Sequence, residues 1–500
     1  MKSIIFLLLR KAIYYTSGLC PRATKAVIGS NQDRFSDNAK YLYLHWQNTD
    51  FIRSIWISGD KELVSQLRGD GFEAYHRRSI RGIFHCLTAK YYFYTSYIGD
   101  ISQYLAKGAT KVNLWHGSPL KKIEFDIISG PLATTYQATD LKNKLFNSLK
   151  YHQAYIKPDI MFSPSPVMDV LFSSAFRLPT SQIHRSGNPR TDYYRRYPEK
   201  KQSITQLFNQ QYDQVILYRP TWIDSPRDAK ISTKRDIGRQ AERGNDQKTE
   251  KSAEQSSEKN IKPNKRYIGG INWQSLSTQL QENNQLFLIR FNPSQAHLAK
   301  QLKNYANIID ISHWQDIYNI FHEIDLLITD ESSLCIDFLL YQTPTIFYTS
   351  SDVRKDETSK TAASTLTLTK PSTSALLTQT ETKTETENSH TKSDNYDYVD
   401  NLPLFGIGHS KTLDNFEDLL TKLRSDNSFY ISAEESQEYK QLTQLFWPEQ
   451  LCDAFDTIEK QIGKISNKTK VPQQECRANT THPQEPALAA KPCLANSSRG

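Results

Sequence analysis

Apolar residues follow two rhythms along this chain. Short unbroken runs, Lys25-Ala-Val-Ile-Gly29, Ser54-Ile-Trp-Ile-Ser58, Tyr91-Tyr-Phe-Tyr-Thr95 and Lys111-Val-Asn-Leu-Trp115, read as buried strands. Between them, Lys61 to Arg68 sets Leu63, Val64 and Leu67 on one helical face, and Gly69 ends it. The alternation returns at Asp325-Leu-Leu-Ile-Thr329, a strand, after which Ser332-Ser333 opens a segment of helical spacing through Leu334, Ile336, Phe338 and Leu339. Pro344-Thr-Ile-Phe347 then reads as the next strand, completing a parallel βαβ unit. Two later stripes, Leu413-Phe416-Leu419-Leu420-Leu423 and Leu451-Phe455-Ile458-Ile462, predict helices with packing faces. Strands alternating with short helices point to an α/β protein with doubly wound parallel sheets, whose ligands sit at the carboxyl ends of strands.

The rhythm stops in three places. Residues 225–265 are dense in Lys, Glu, Gln, Asp and Ser. Residues 357–393 are rich in Thr, Ser and Lys without an aromatic, and 466–500 are similar. Such composition cannot bury enough apolar surface to offset ordering entropy, so disordered insertions and a disordered tail are expected. At the other end Ile4-Ile-Phe-Leu-Leu-Leu9 is cut short by Arg10 and Lys11. A bilayer span takes about 20 apolar residues, so this is no transmembrane helix, and it lacks a clear secretory cleavage site. Two readings stay open for residues 1–25: contact with an anionic membrane surface, helped by Arg10, Lys11, Arg22 and Lys25, or a buried first helix.

Five hundred residues with 38% hydrophobic content suit two or three domains. The net charge of +8 is diluted over the whole chain; it permits an anionic substrate or membrane surface and does not argue for nucleic acid. Six scattered cysteines without a CxxC pair fit a reducing cytoplasm and neither a disulfide framework nor a zinc site.

Candidate chemistry gathers at two turns. In Leu114-Trp-His-Gly-Ser-Pro-Leu-Lys-Lys122, Gly117 permits a sharp turn, Ser118 can cap a helix and Pro119 suits a first helical turn. His116 then projects at the mouth of the sheet, where a histidine can take a proton near neutral pH, with Lys121 and Lys122 in reach of a phosphate. At the second turn Ser332 and Ser333 offer two hydroxyls beside a helix N-terminus, a place that suits phosphate. Tyr193-Tyr-Arg-Arg-Tyr197 and Tyr75-His-Arg-Arg-Ser-Ile-Arg81 interleave aromatics with arginine. Such mixtures suit phosphate-bearing polymers, nucleic acid or a membrane interface, or form a plain solvated face.

Taken together, the motifs resemble the CDP-glycerol glycerophosphotransferase family, the teichoic-acid primases and polymerases and their capsule-synthesis relatives. Six blocks occur in the family's order: Arg34-Phe-Ser-Asp-Asn-Ala-Lys-Tyr41, Asn113 to Lys122, Gly187-Asn-Pro-Arg-Thr-Asp192, Leu217-Tyr-Arg-Pro-Thr-Trp222, Ile289-Arg-Phe-Asn-Pro293, and Asp330-Glu-Ser-Ser333 with Asp337-Phe338. The resemblance implies two Rossmann-like domains facing a cleft (GT-B type), an acceptor side over 26–200 and a CDP-donor side over 205–465. It implies His116 as general base and Ser332, Ser333, Arg290, Asn292, Thr221 and Asp337 as donor or phosphate ligands. Gly117, Lys121, Arg190 and Asp192 would face the acceptor or the cleft, and the last helix would cross back onto the first domain.

The implied reaction moves glycerol phosphate from a CDP-alditol to a lipid-linked or polymeric acceptor at the cytoplasmic face of the membrane. It involves no metal, no further cofactor and no nucleic acid. Two departures stand out. Asn292-Pro293 replaces the family's usual His-Pro, and Ile223 replaces an arginine after Pro-Thr-Trp; Arg219, Arg227 or Arg290 would have to supply that charge. The rival readings are a nucleotide-sugar transferase of the same architecture and a binding relative without activity.

Overall fold

Among the described residues twelve strands form two fully parallel sheets. The computed structural model describes residues 2–129, 132–138, 140–220, 270–291, 299, 302, 305–330, 332–348 and 413–468. In the first sheet β1 (Ala23–Ile28), β2 (Ser54–Ser58), β3 (Ala74–His76), β4 (Ala89–Tyr94), β5 (Thr110–Asn113), β6 (Ile160–Ser163) and β7 (Ile183–Arg185) lie in the order β3-β2-β1-β4-β5-β6-β7. The second sheet orders β8 (Gln214–Arg219), β9 (Gln285–Ile289), β10 (Ile308–Asp310), β11 (Leu326–Thr329) and β12 (Thr345–Phe347) as β10-β9-β8-β11-β12. Every neighbouring pair runs parallel.

A parallel strand covered on both faces needs side chains that are apolar on both, which is why these strands read as unbroken runs. All residues of β2, β9 and β11 are buried. Four helices accompany the first half of sheet one: α1 (Lys2–Thr16), α2 (Asp37–Thr49), α3 (Lys61–Gly69) and α4 (Ile80–Thr88). The α3 stripe buries Leu63, Val64 and Leu67, and the Asp60 side chain caps it by accepting from the Glu62 and Leu63 amides.

Strand order reverses between β1 and β4 in one sheet and between β8 and β11 in the other. These are the points where doubly wound sheets leave room for a ligand at their carboxyl ends. One continuous apolar cluster joins the halves, running from Trp115, Met161 and Phe172 through Leu217, Leu288 and Phe338 to Phe446 and Trp447. Within it the helix Pro166–Phe176 packs against the helix Ala433–Phe446. The stripe of the helix Phe416–Arg424 buries Leu419, Leu420 and Leu423 on the second sheet's other face.

The last helix begins at Ala454, where Phe455 stacks on His45 of α2 at 4.1 Å between ring centroids. It therefore touches the first half, as the resemblance implies. It runs to Lys468, three residues into the expected disordered tail. Residues 459–468 belong to a separate unit. The expected insertions 225–265 and 357–393, and the rest of the tail, lie outside the described residues.

The buried-first-helix reading of the N-terminus fails. In α1, Ile5 is 64% exposed and Leu9 56%, with Phe6 and Leu8 near one half. Among the described residues no helix is long and apolar enough to cross a membrane.

Candidate active site

A cavity of about 700 Å³ opens where the carboxyl ends of both sheets meet. That volume lies within the range of small-molecule sites, about 300–1,000 Å³. Its wall is built from Gln32 to Asp37 after β1, His116 after β5, Arg219 at the end of β8, Arg290 after β9, Ser312 to Gln315 with Ile317 and Tyr318 after β10, and Ser332 to Leu334 after β11. Most stand at or just past the carboxyl ends of parallel strands, so the topology delivers them to one place; Tyr41 of α2, Leu63 and Gln66 of α3, Arg190 and Asp337 also line the wall.

His116 opens its side chain into this cavity. Its Nδ1 lies 2.8 Å from the carbonyl oxygen of Thr95, just past β4. A carbonyl only accepts, so Nδ1 must carry the proton and the neutral imidazole turns the lone pair of Nε2 outward. Desolvation among the cavity walls lowers its pKa, and the Arg190 charge adds to this; Asp37 and the Thr95 carbonyl pull the other way. The outcome is a base that is unprotonated at neutral pH.

The loop bearing His116 is held under strain. Trp115 sits at φ 50° and Asp37, across the cavity, at φ 61°, in the left-handed region that non-glycine residues avoid. Fully buried Asn38 offsets the cost. Its Nδ2 donates to the carbonyls of Leu114 at 3.0 Å and Trp115 at 2.9 Å, and its Oδ1 accepts from the Arg190 amide at 3.2 Å. Gly117 has φ 137°, and a Cβ there would come within 3.2 Å of the Arg190 Nη2 and 3.4 Å of the Ser333 Oγ. Glycine is required because the second sheet's turn closes directly onto the His116 loop.

Arg190 and Asp337 occupy that junction. The buried guanidinium donates through Nε and Nη2 to the Asp337 carboxylate at 3.1 and 3.0 Å, and through Nη1 to Asp37 at 2.9 Å. Tyr318 donates to Asp337 at 2.7 Å. Nearby Asp316 accepts from Lys40 at 2.7 Å, Tyr41 at 2.5 Å and Tyr194 at 2.6 Å. Burial acts to raise the Asp316 pKa, but Lys40 and the hydroxyl donors prevail and hold it below the usual carboxylate range.

Two other guanidiniums in the cavity have no such partner. Arg219 and Arg290 form no ion pair with a described residue; they donate to main-chain carbonyls, Arg219 to Pro220 and Arg290 to Trp314. Burial and then the neighbouring Arg290 bring the Arg219 pKa down to about 10, with Arg34 adding to the repulsion and Asp330 opposing it. Arg290 is likewise lowered by burial, with Arg34 adding to this. Desolvated cations that repel one another bind an anion strongly, because the anion supplies the missing counter-charge.

Several sequence expectations meet a different structure. No helix starts at Ser118: the chain turns irregularly to a single 3-10 turn at Glu124–Asp126, and the Ser118 hydroxyl is buried without a hydrogen-bond partner. The Ser332-Ser333 pair does line the cavity, but the helix after it is only five residues, Leu334–Phe338, and Ser333 makes no capping bond. Ser332 instead accepts from the Leu334 amide at 3.3 Å. A macrodipole needs aligned peptides over several turns, so the hydroxyls and amides remain but the dipole argument lapses.

Asp337 is an arginine partner rather than a phosphate ligand, since a buried carboxylate would repel phosphate. Asp192 is not brought to the cavity. It is buried, accepts from the Ala454 amide at 2.9 Å and fixes the last helix, and burial raises its pKa to about 6. Lys121 does not line the cavity either, and Thr221 and Asn292 lie outside the described residues, as does Ile223. The Tyr193–Tyr197 motif is split: Tyr193 and Tyr194 are buried, whereas Arg195 and Arg196 are exposed and pair with Asp192, Asp453 and Asp456.

Asp37, Asn38, Arg34 and Thr95 carry much of the site, and the sequence assigned none of them a role. Arg34 to Asn38 stood within a family-like block, which was the available signal. Thr95 acts through its main-chain carbonyl and leaves no signal at all. Among the described residues no group of His, Cys, Asp or Glu side chains is gathered to hold a metal.

The family model described as CDP-glycerol:poly(glycerophosphate) glycerophosphotransferase matches residues 22–360. A teichoic acid poly(glycerol phosphate) polymerase of Bacillus spizizenii is 25% identical over 349 residues, 67% of this chain and 76% of that protein. The polymerase of the same description from Bacillus subtilis is 24% identical over 351 residues, which span 68% of this chain but only 40% of that longer protein. In fold, a solved structure of the wall teichoic acid polymerase TagF matches with a TM-score of 0.61 at 18% identity, covering 94% of this chain and 97% of that one.

Proposed function

Because the chain belongs to the CDP-glycerol:poly(glycerophosphate) glycerophosphotransferase family, we propose that it transfers glycerol phosphate, or a related alditol phosphate, from a CDP-alditol to an acceptor hydroxyl in the synthesis of a teichoic-acid-like or capsular polymer. The observation that carries the reading is the outward lone pair of His116 Nε2 in the same cavity as Arg219 and Arg290, which form no ion pair with a described residue.

In the proposed step Nε2 takes the proton of the acceptor hydroxyl, and the oxygen attacks the β-phosphorus of CDP-glycerol. A new P–O bond forms, the bond between β-phosphorus and the bridging oxygen breaks, and CMP leaves with that electron pair. Arg219 and Arg290, with the hydroxyls of Ser332 and Ser333, hold the diphosphate and offset the charge on the leaving group. Transfers of this kind gain most from positioning and fixed electrostatics. The step draws on no cofactor.

The reading treats the chain as a GT-B arrangement, with an acceptor side over 26–200 and a donor side over 205–465. It puts the protein at the cytoplasmic face of the membrane, held peripherally, with a lipid-linked or polymeric acceptor. The exposed apolar face of α1 supports that location.

The test is incubation of the protein with radiolabelled CDP-glycerol and a membrane fraction, followed by CMP release and product sizing. CDP-ribitol and UDP-sugars run in parallel. CMP release with label entering a larger product is expected; UDP release in its place would establish a sugar transferase, and no release from any donor a binding protein. His116→Ala should lower turnover at least about 100-fold, the scale of a lost general base, while CDP still binds.

A further inference from the structure

One buried carboxylate stands close behind the site without lining the cavity. Asp100 closes the 3-10 turn Ile98–Asp100 that follows β4, and it is 4% exposed. Its Oδ2 accepts two successive main-chain amides, from Thr95 at 3.2 Å and from Ser96 at 2.8 Å. The Ser96 N–H and the Thr95 C=O are opposite ends of one planar peptide unit. That same carbonyl oxygen accepts from Nδ1 of His116 at 2.8 Å. Carboxylate, peptide and imidazole thus form one chain of hydrogen bonds, and the shorter Asp100 contact falls on the peptide that meets the ring.

The surrounding bonds hold this peptide in one orientation. Asn113, at the end of β5, cross-links the two loops: its Nδ2 donates to the Ser96 carbonyl at 3.2 Å, and its Oδ1 accepts from the Trp115 amide at 2.8 Å. The Thr95 hydroxyl accepts from the Asn31 amide at 3.1 Å. An asparagine or a serine side chain could close such a turn with similar bonds. Burying a carboxylate there costs more than burying either of them. The charge itself therefore points to a use beyond loop closure.

Resting on the role of base proposed above for His116, we propose that Asp100 is a positioning residue for that histidine and acts on it through the Thr95–Ser96 peptide. A negative charge at the N–H end polarises the peptide and makes the Thr95 oxygen a stronger acceptor. That oxygen holds the Nδ1–H tautomer while the ring is neutral. When Nε2 takes the proton of the acceptor hydroxyl, the ring becomes cationic, Nδ1–H becomes a stronger donor and the bond tightens. No proton passes along the peptide. Held behind it, the carboxylate supports the ring without adding a negative charge to a cavity that must take a diphosphate.

Other charges face both ends of the chain. Asp37, from the start of α2, and Arg190, from the helix after β7, act on the ring directly and with opposite signs, and Asp337 of the second half stands beyond Arg190. On the Asp100 side Arg77, after β3, donates to the Asp100 main-chain carbonyl at 2.9 Å and pairs with Asp33, after β1. Tyr94, at the end of β4, also feels the Asp100 charge. Asp100→Asn changes none of these residues and keeps an oxygen for the two amides, so it removes the charge and spares the loop.

The experiment is ring-nitrogen NMR on the full chain grown with isotope-labelled histidine, with the His116 signals assigned among the 12 histidines by their absence in His116→Ala. The wild-type ring should show the Nδ1–H tautomer. Losing a negative charge disfavours the imidazolium, so in Asp100→Asn the His116 titration should move to lower pH by at least about 0.5, about threefold in the protonation equilibrium. With CDP-glycerol and a membrane fraction, kcat should fall about three- to tenfold in this variant, as for a weakened base, while KM for CDP-glycerol stays within twofold. An unmoved titration overturns the proposal, and so does a fall in kcat without it, which would leave Asp100 closing the loop and nothing more. A titration that moves in a protein releasing no CMP from any donor refutes the transferase reading and leaves the linkage of Asp100 to His116 standing.

Discussion

Arg190, in the helix after β7, grips Asp337, in the helix after β11, through parallel bonds of 3.1 and 3.0 Å, and each side chain is 3% exposed. The pair ties the two sheets together directly beneath Gly117. Removing one partner strands a buried charge, which costs more than the pair itself contributes. Asp337→Ala should therefore lose about 3–5 kcal/mol of stability in urea unfolding. A loss within the noise of a surface substitution would show that the junction is held by apolar packing alone.

The acidity of His116 depends on Asp37, which raises its pKa, and on Arg190, which lowers it. Asp37→Asn removes the raising charge and also frees Arg190 from the partner at 2.9 Å. Both changes favour the neutral imidazole. The acid limb of the pH profile of kcat/KM, which marks protonation of the base, should already lie below the ordinary histidine value and move lower still in this variant. An upward shift would remove His116 from the role of base.

Among the described residues Arg219 and Arg290 form no ion pair; Arg290 and Arg34 repel Arg219, and Asp330 only partly offsets this. An anion that bridges them satisfies both, at about 1.5–3 kcal/mol for a charged hydrogen bond. Arg219→Ala and Arg290→Ala should each weaken CDP binding about 10- to 100-fold in titration calorimetry, with lysine recovering part of the loss. Stability should hold or rise, since a mutual repulsion is removed. Unaltered CDP affinity would mean that the diphosphate sits elsewhere.

Glu124, where the His116 loop ends, is buried against the hydroxyls of Tyr97 at 2.6 Å and Tyr136 at 2.9 Å. Burial raises its pKa to about 7 against an ordinary 4.5, despite the two hydroxyl donors. The stability linked to its neutral form is complete below about 4.5 and is lost as pH rises through 7, about 3 kcal/mol at 1.36 kcal/mol per unit. Tm should fall between pH 5 and 8, and Glu124→Gln should flatten that fall by this residue's share, with buried Asp192 retaining its own. An identical slope in the variant would assign the fall to other groups.

Much of this molecule follows from local pattern. Burial on both faces of a parallel strand forces an apolar run, so β2, β11 and β12 were legible within a residue. The α3 stripe and its terminal glycine were legible for the same reason. The family-like blocks also marked which loops matter, because loops after parallel strands carry the ligand.

What pattern could not decide was partnership. Asp192 and Asp337 are alike in sequence: each is an aspartate in the first turns of a helix, in a block of the resemblance. One caps the last helix and the other clamps Arg190, because their neighbours come from 262 and 147 residues away. The tautomer of His116 is set by a main-chain carbonyl, which every residue has and none advertises. The sequence by itself determined β1, β2, β4, β5, β11 and β12, the α3 stripe and the loops at those strands' carboxyl ends, since those depend on local apolar runs and a period of 3.6 residues. Only the tertiary structure decided which charges are neutralised and which stay open to a ligand, because electrostatic partnership depends on distance in space and on burial.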